Sequence, residues 1–521
     1  MERQTDPLSS LGTAAQPRLG DGEWFYAACC TCTTAYYQQQ LRQLLERGGK
    51  DGAVGYTHLY SLARGVHLVG MECCGNRHYS RLACGYMVVS AAIYALPHRI
   101  EAYAEGYCIH SAHYSVDYLR VYLHQSACNV LPVADPRQLL CIDTWAVQWY
   151  EYTGVLGGSL WVLLTNIVLF EAIRAKRWVA PAVVVALPLI LSLVLYSANA
   201  PKREQYTSRT AVKIASIQPN VDCYTKFLVS QQSLQTNLIK QLQEVTDEVD
   251  FILMPETSLA TTVNERFIGA TRIVQGISTQ LKSRKSKAMV IAGTESVMAY
   301  GTRRKSDTNR RSANGSYYDI FNSSIGINSN PAELPNHNKC KLVIGVETLP
   351  AWFRAGGIFE VDLGGTAGQL GIGKSAEPFS HNGIKIAPAI CYEGLYGDFM
   401  GEFVRNGAQI FSVVSNDGWW GDTPGYKYLF AYCRLRAIEH RRDVARSANT
   451  GISGFINSRG DALQTLDWDK KGVIVEQLRL NDKMTFYTRH GDYLGRLSLY
   501  VALLCLLYTV AILSKKKFYL D

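Results

Sequence analysis

Three apolar runs along the chain stop abruptly at polar or reactive side chains. Phe251-Ile252-Leu253-Met254 closes on Pro255-Glu256, the run 385–390 closes on Cys391-Tyr392-Glu393, and Ile410-Phe411-Ser412-Val413-Val414 closes on Ser415-Asn416-Asp417. Short β-rich runs bounded by Pro, Gly, Asn and Asp read as core strands, and open α/β sheets carry their sites at the carboxyl ends of such strands. The three ends are therefore expected to meet at one cleft. Around them the pattern predicts a strand over 211–220 and an amphipathic helix over 230–248, with Leu234, Leu238 and Leu242 at helical spacing. A helix near 264–283 and strands over 289–293 and 320–327 follow. This alternation suits an α/β sandwich of two sheets faced by helices.

Longer apolar stretches flank that region. Residues 154–173 carry no charge before Glu171, residues 178–196 carry none, and the joining loop holds Arg174, Lys176 and Arg177. Residues 497–513 form a third stretch, followed by Lys515-Lys516-Lys517. About twenty apolar residues suffice to cross a bilayer, and short basic loops stay in the cytoplasm. Both anchors then place the intervening region, about 205–490, on the outer side, which in a two-membrane bacterium is the periplasm.

Residues 1–141 show no such order. They hold nine of the 14 Cys and seven of the 11 His, without hydrophobic periodicity and without a charged n-region leading into an apolar h-region. Cys29 and Cys32 form one C-x-x-C with no second pair at metal-site spacing, so zinc is not expected there. We expect this atypical Cys/His/Tyr-rich segment to be an out-of-frame or misassembled translation, joined near Asp143 and standing where membrane helices belong. The net charge of +9 is read as membrane-flanking charge. No stripe of Lys and Arg interleaved with aromatics recurs, which argues against nucleic acid as a partner. Arg303-Arg304-Lys305 and Arg310-Arg311 read as a solvated loop.

The candidate chemistry centres on Cys391. A free thiol is mostly protonated at neutral pH and needs a base or a nearby positive charge to act as a nucleophile. Glu256 can be the base, and Lys339 or Lys341 can face an oxyanion. Each has a plainer reading: Cys391 as a buried inert thiol, Glu256 as a helix cap, Trp419 and Trp420 as core. Cys223, Cys340, Cys433 and Cys505 read as packing thiols.

Taken in order, Met254-Pro255-Glu256-Thr257-Ser258, Asn338-Lys339, Ile390-Cys391-Tyr392-Glu393 and Ser415-Asn416-Asp417-Gly418-Trp419-Trp420-Gly421-Asp422 resemble the Glu-Lys-Cys nitrilase, or carbon–nitrogen hydrolase, superfamily. Tyr432-Cys433-Arg434-Leu435-Arg436-Ala437-Ile438-Glu439, Arg446-Ser447-Ala448-Asn449-Thr450-Gly451-Ile452-Ser453 and the flanking apolar segments narrow the resemblance to the apolipoprotein N-acyltransferases, over residues 142–521. It implies a nitrilase-like αββα sandwich (205–490) inserted between transmembrane helices (142–204 and 491–521), in a bacterial inner membrane with the catalytic domain periplasmic. It implies Glu256, Lys339 and Cys391 as catalytic, with Glu347, Tyr392 and Glu393 supporting. The implied reaction passes an acyl group from a phospholipid, through a Cys thioester, to the amine of a diacylated apolipoprotein, with no cofactor and no metal. The resemblance departs at Ile344-Gly345-Val346-Glu347, where relatives have Pro-Phe-Gly-Glu. A membrane-tethered amidase that passes the acyl group to water and a non-catalytic membrane-bound binding protein are the alternatives. Translating the other frames of the DNA upstream of Asp143 should reveal apolar spans of membrane length; their absence would contradict the frame expectation.

Overall fold

The computed structural model describes residues 143–200 and 210–518, apart from 225, 246–247, 345 and 349–368. The atypical segment 1–141, with its Cys29 and Cys32 pair, lies outside the described residues. A short helix α1 (Tyr150–Thr153) leads into α2 (Val155–Ala175), which turns through Lys176 in the left-handed region into α3 (Val179–Ala198). The two long helices coincide with the stretches expected as spans. Helix α3 is long and apolar enough to cross a membrane, and Val179 and Leu187 on it are 78% and 63% exposed. In α2 the uninterrupted apolar part is the shorter Val155–Leu169.

Pro188 lies inside α3 and has no N–H for the Val184 carbonyl four residues back. Trp161 of α2 donates its indole Nε1–H to that carbonyl at 2.8 Å. The gap in one helix is thus filled by a side chain of the other.

The first sheet is built from β1 (Ala211–Gln218), β2 (Phe251–Met254), β3 (Thr262–Asn264), β4 (Met289–Gly301), β5 (Arg310–Arg311), β6 (Tyr317–Ile327) and β7 (Asn336–Asn338). Helices α4 (Gln231–Glu244) and α5 (Arg272–Ser283) cover it. The second sheet holds β8 (Phe379–His381), β9 (Ile384–Ile390), β10 (Ile410–Ser415), β11 (Val444–Ala448), β12 (Ser453–Ile456) and β13 (Ala462–Leu466), with α6 (Gly397–Arg405) and α7 (Pro424–His440) outside it. The chain returns to the first sheet through β14 (Gly472–Arg479), antiparallel to β1, and leaves through α8 (Phe486–His490) and α9 (Tyr493–Phe518). In α9 the uninterrupted apolar part is Tyr493–Leu504. Strands β1, β2 and β4 run parallel, as do β9, β10 and β11.

Period-two alternation sorts the core into layers. Ile214, Phe251, Leu253 and Ile291 of the first sheet meet Ile386, Ile390, Ile410 and Val414 of the second. Ile252, Met254 and Val290 point the other way, onto Leu238, Leu242, Ile273 and Ile277 of α4 and α5. Ala389, Phe411 and Val413 pack on Phe403, Phe430 and Ala437 of α6 and α7. The result is the expected αββα sandwich. The far face of α7 is covered as well: Leu435 and Ile438 pack against Trp149 and Tyr150, with Trp161 and Leu189 beside them.

Two expectations change in detail. The single helix near 264–283 is a 3-10 segment, Glu265–Ala270, followed by α5, because Phe267 leaves helical angles and Gly269 lies against the Pro331 carbonyl. Strands β4 and β6 extend well beyond 289–293 and the start of 320–327, since they pair antiparallel along almost their whole length.

The interhelical bond gives a test. Trp161→Phe leaves the Val184 carbonyl without its donor and should destabilise by about 1–3 kcal/mol. Adding Pro188→Ala restores a helical N–H and should recover most of that loss. Thermal unfolding of the detergent-solubilised single and double variants checks the cycle.

Candidate functional site

Cys391 begins the turn that ends β9, with φ +46. A non-glycine residue in this left-handed region costs about 1–2 kcal/mol, so something must hold it there. The fully buried Glu393 does: its carboxylate accepts from Ile390 N at 2.8 Å, from Cys340 N at 2.6 Å, and faces His337 Nε2 at 3.0 Å. One carboxylate therefore ties the Cys391 turn to the segment that carries Lys339. That segment follows β7, which runs antiparallel to β6, and Lys339 N donates to Asn322 O at 2.8 Å.

Glu256 follows β2 and is buried, with Thr257 next to it at φ +52. Gly293 of β4 lies against this turn so closely that a Cβ there would sit 2.5 Å from Glu256 Cα. The fully buried Lys339 ammonium lies 3.2 Å from Glu256 Oε1 and 2.9 Å from Glu347 Oε1. Asn322 Nδ2 bridges the same two oxygens at 2.6 and 2.9 Å, and Asn416 N donates to Glu256 Oε2 at 3.0 Å. Glu347 is held in turn by Val343 N at 2.8 Å. The ends of β2, β9 and β10 thus meet, as the three run endings predicted, and the end of β7 joins them.

Burial works against the Lys339 charge, yet Glu256, Glu347 and the Cys391 sulfur together keep the ammonium well above the usual lysine range. Burial raises Cys391, the charge of Glu256 raises it further, and Lys339 pulls the other way. The half-buried thiol consequently rests protonated. Ser415, at the end of β10, donates its hydroxyl to Asp417 Oδ1 at 2.6 Å, and Asp417, whose charge also raises the thiol, is paired with the buried Arg446 at 2.8 Å. An acid–base carboxylate, a fixed ammonium and a thiol within mutual electrostatic reach can deprotonate the thiol as it attacks and steady an oxyanion.

The remaining sequence candidates separate. Lys341 caps the rings of Tyr396 and Phe399 at 5.6 and 5.3 Å, while Lys339 alone of the two lysines pairs with the carboxylates. Tyr392 is buried edge-to-face against Tyr396. Trp419 is half-buried and meets Tyr224 edge-on, and Trp420 covers Gly425. The ligand atoms of His337, Cys340 and Glu393 lie within 4.8 Å of one another, the group among the described residues that could hold a metal ion. Glu393 is already engaged there by two backbone N–H groups. Two surface depressions, one lined by Glu265–Ala270 and 331–335 and the other by Tyr152, Asn199 and Phe486, share no residue with this site. Convergent side chains define it. Sequence reasoning missed Asn322 and His337; a polar run, Asn322-Ser323-Ser324, inside an otherwise apolar strand was the available signal for the first.

The charges around the thiol make a prediction. Glu256→Gln removes the charge that, after burial, most disfavours the thiolate, so alkylation of Cys391 by iodoacetamide should shift to lower pH. Lys339→Met removes the favourable charge and should shift it upward. Mass-spectrometric alkylation rates across pH check both directions.

The carbon–nitrogen hydrolase family matches residues 213–484, the whole sandwich. Two curated relatives named apolipoprotein N-acyltransferase are similar. The one from Chlorobaculum tepidum is 26% identical over 69% of this chain and 69% of its own length. The one from Geobacter metallireducens is 28% identical over 66% of this chain and 64% of its own, so the chain spans about two thirds of the length of these relatives. Among solved structures, Nit3 of Saccharomyces cerevisiae, a member of the nitrilase superfamily, is 16% identical, with a TM-score of 0.36 over 52% of this chain and 90% of that one. With its family match extending over more than half of the sequence and across both sheets and their helices, the chain belongs to the carbon–nitrogen hydrolase family.

Proposed function

We propose that the chain is a membrane-bound acyltransferase that acylates the N-terminal amine of diacylated apolipoproteins, with Glu256, Lys339 and Cys391 as its catalytic residues. The observation that carries this reading is the Lys339 ammonium held between Glu256 and Glu347 at the strand ends where the Cys391 turn begins. Glu256 takes the Cys391 proton as the sulfur attacks an acyl ester of a phospholipid, which suits a thiol that rests protonated. Two of the three Lys339 N–H groups go to carboxylates, and the third faces the developing oxyanion. The lysophospholipid leaves with the proton, and the acyl group remains as a thioester. The acceptor amine then attacks the thioester, Glu256 takes its proton and returns it to the departing Cys391 sulfur, and the amide product leaves.

Glu347 holds the lysine, Glu393 holds the nucleophile turn, and Tyr392 walls the acyl site. Both substrates have acyl chains that lose about 0.8 kcal/mol per methylene on leaving the membrane, so the site has to work beside it. The exposed apolar faces of α3 and α9, where Leu187 and Leu504 are 63% and 65% exposed, support insertion in a bacterial inner membrane. The basic loop at Lys176 and Arg177 then lies inside and the sandwich in the periplasm. Names of the curated relatives support the apolipoprotein acceptor.

Incubation with phospholipid followed by intact-mass measurement tests the reaction. The parent chain should gain one fatty acyl group and lose it on adding a diacylated lipopeptide, whereas Cys391→Ser should gain none. Release of free fatty acid with the lipopeptide left unmodified would overturn the transferase reading.

A further inference from the structure

The loop between β1 and α4 is stitched to both sides of the site. Asn220 N donates to Asn449 O at 3.0 Å, Val221 N to Asn449 Oδ1 at 3.1 Å, and Asn449 Nδ2 returns to Val221 O at 2.6 Å and to Asn416 Oδ1 at 3.1 Å. Asn416 is the residue whose backbone N–H holds Glu256. Cys223 lies against Gly418, and Tyr224 against Trp419. From this anchored loop Lys226 reaches the turn that follows Glu256. Its Nζ donates to the carbonyl of Thr257 at 2.6 Å and to the Thr257 hydroxyl at 2.9 Å.

Thr257 is the residue immediately after Glu256 and sits in the left-handed region, as does Ala260. A threonine is β-branched and resists such angles, so this turn keeps its shape only where the surroundings impose it. Gly293 presses on it from β4, and Lys226 bonds its Thr257 carbonyl and hydroxyl. We infer that Lys226 is a positioning residue for Glu256, clamping the left-handed Thr257 turn so that the carboxylate stays aimed at Lys339 and the Asn416 N–H. The inference rests on Glu256 being the base of the proposed acyl transfer.

An ammonium is a costly choice for a tie that an amide could make. Burial lowers Lys226 to about 8, while Glu256, at the end of β2, and Cys223, in its own loop, work in the opposite direction. Its charge is thus kept close to the base, where it acts on the carboxylate as well as on the turn.

The test uses the full chain in detergent, phosphatidylethanolamine as acyl donor and a diacylated lipopeptide as acceptor, comparing the parent with Lys226→Met and Lys226→Arg. Acylation of the parent at Cys391 is read first by intact mass. A parent that never acylates overturns the acyltransferase reading itself, separately from this one. With an active parent, Lys226→Met should slow acyl-enzyme formation about tenfold to a hundredfold, as a displaced catalytic group does, with KM for the phospholipid changed less than about twofold. Lys226→Arg, which keeps the charge and donors, should recover most of the rate, and it carries the test if the Met variant does not fold. A Met variant that acylates at the parental rate overturns the inference. So does a raised KM at unchanged kcat, which would make Lys226 a substrate contact, or an Arg variant that folds as the parent does yet shows no recovery.

Discussion

An ammonium cut off from water must find its counter-charge within the protein, and Lys339 finds it in two carboxylates at 3.2 and 2.9 Å. Leaving such a charge unmatched in the interior costs about 3–5 kcal/mol, so the pairing constrains every segment that supplies a member. Glu256 comes from the end of β2, Lys339 from the end of β7 and Glu347 from the loop beyond, with Asn322 of β6 bonding both acids. Electrostatics and sheet pairing therefore demand the same geometry. In the reading proposed here, base and cation are in place before substrate arrives, and little reorganisation remains for the chemical step.

The same logic extends outward through α7. One face of this helix packs on the second sheet, and the other meets the foot of α2 and α3. Two of its charged residues are buried as a pair: Arg436 lies 2.7 Å from Glu439, and Glu439 also accepts from Val155 N, the first residue of α2, at 2.9 Å. Burial lifts Glu439 to about 7 against the pull of Arg436. Arg441, just past the helix, bonds Glu151 and Gln148. The sandwich and the apolar helices are thus joined by a polar weld at the start of α2.

How much of this could be read from the sequence depended on burial. Strands β2 and β10 are covered on both faces, so they appear as continuous apolar runs, and their abrupt polar endings marked Glu256 and Asn416. Helix α4 has one solvated face and showed its period. Helix α7 has none, and no periodic signal survives when Arg436, Glu439 and His440 are buried beside Leu435 and Ile438. The outer parts of β4 and β6 are half-exposed and lacked an apolar run. Lys339 and Lys341 lie two residues apart and are equivalent by composition; the resemblance favoured Lys339, and the structure shows it ion-paired while Lys341 caps aromatic rings. Lys226 and His337 gave no signal because each bonds a partner distant in sequence, Thr257 for one and Glu393 for the other.

The indole of Trp161 on the Val184 carbonyl bears on how the apolar helices could enter a bilayer. Hydrocarbon offers no donor to a bare carbonyl, so lipid would penalise α3 alone at its proline and favour it only with α2 alongside. The hairpin would then behave as a single prefabricated peg: its two legs would have to go in together, in one register, and the depth reached by one would fix how high the whole sandwich rides above the lipid.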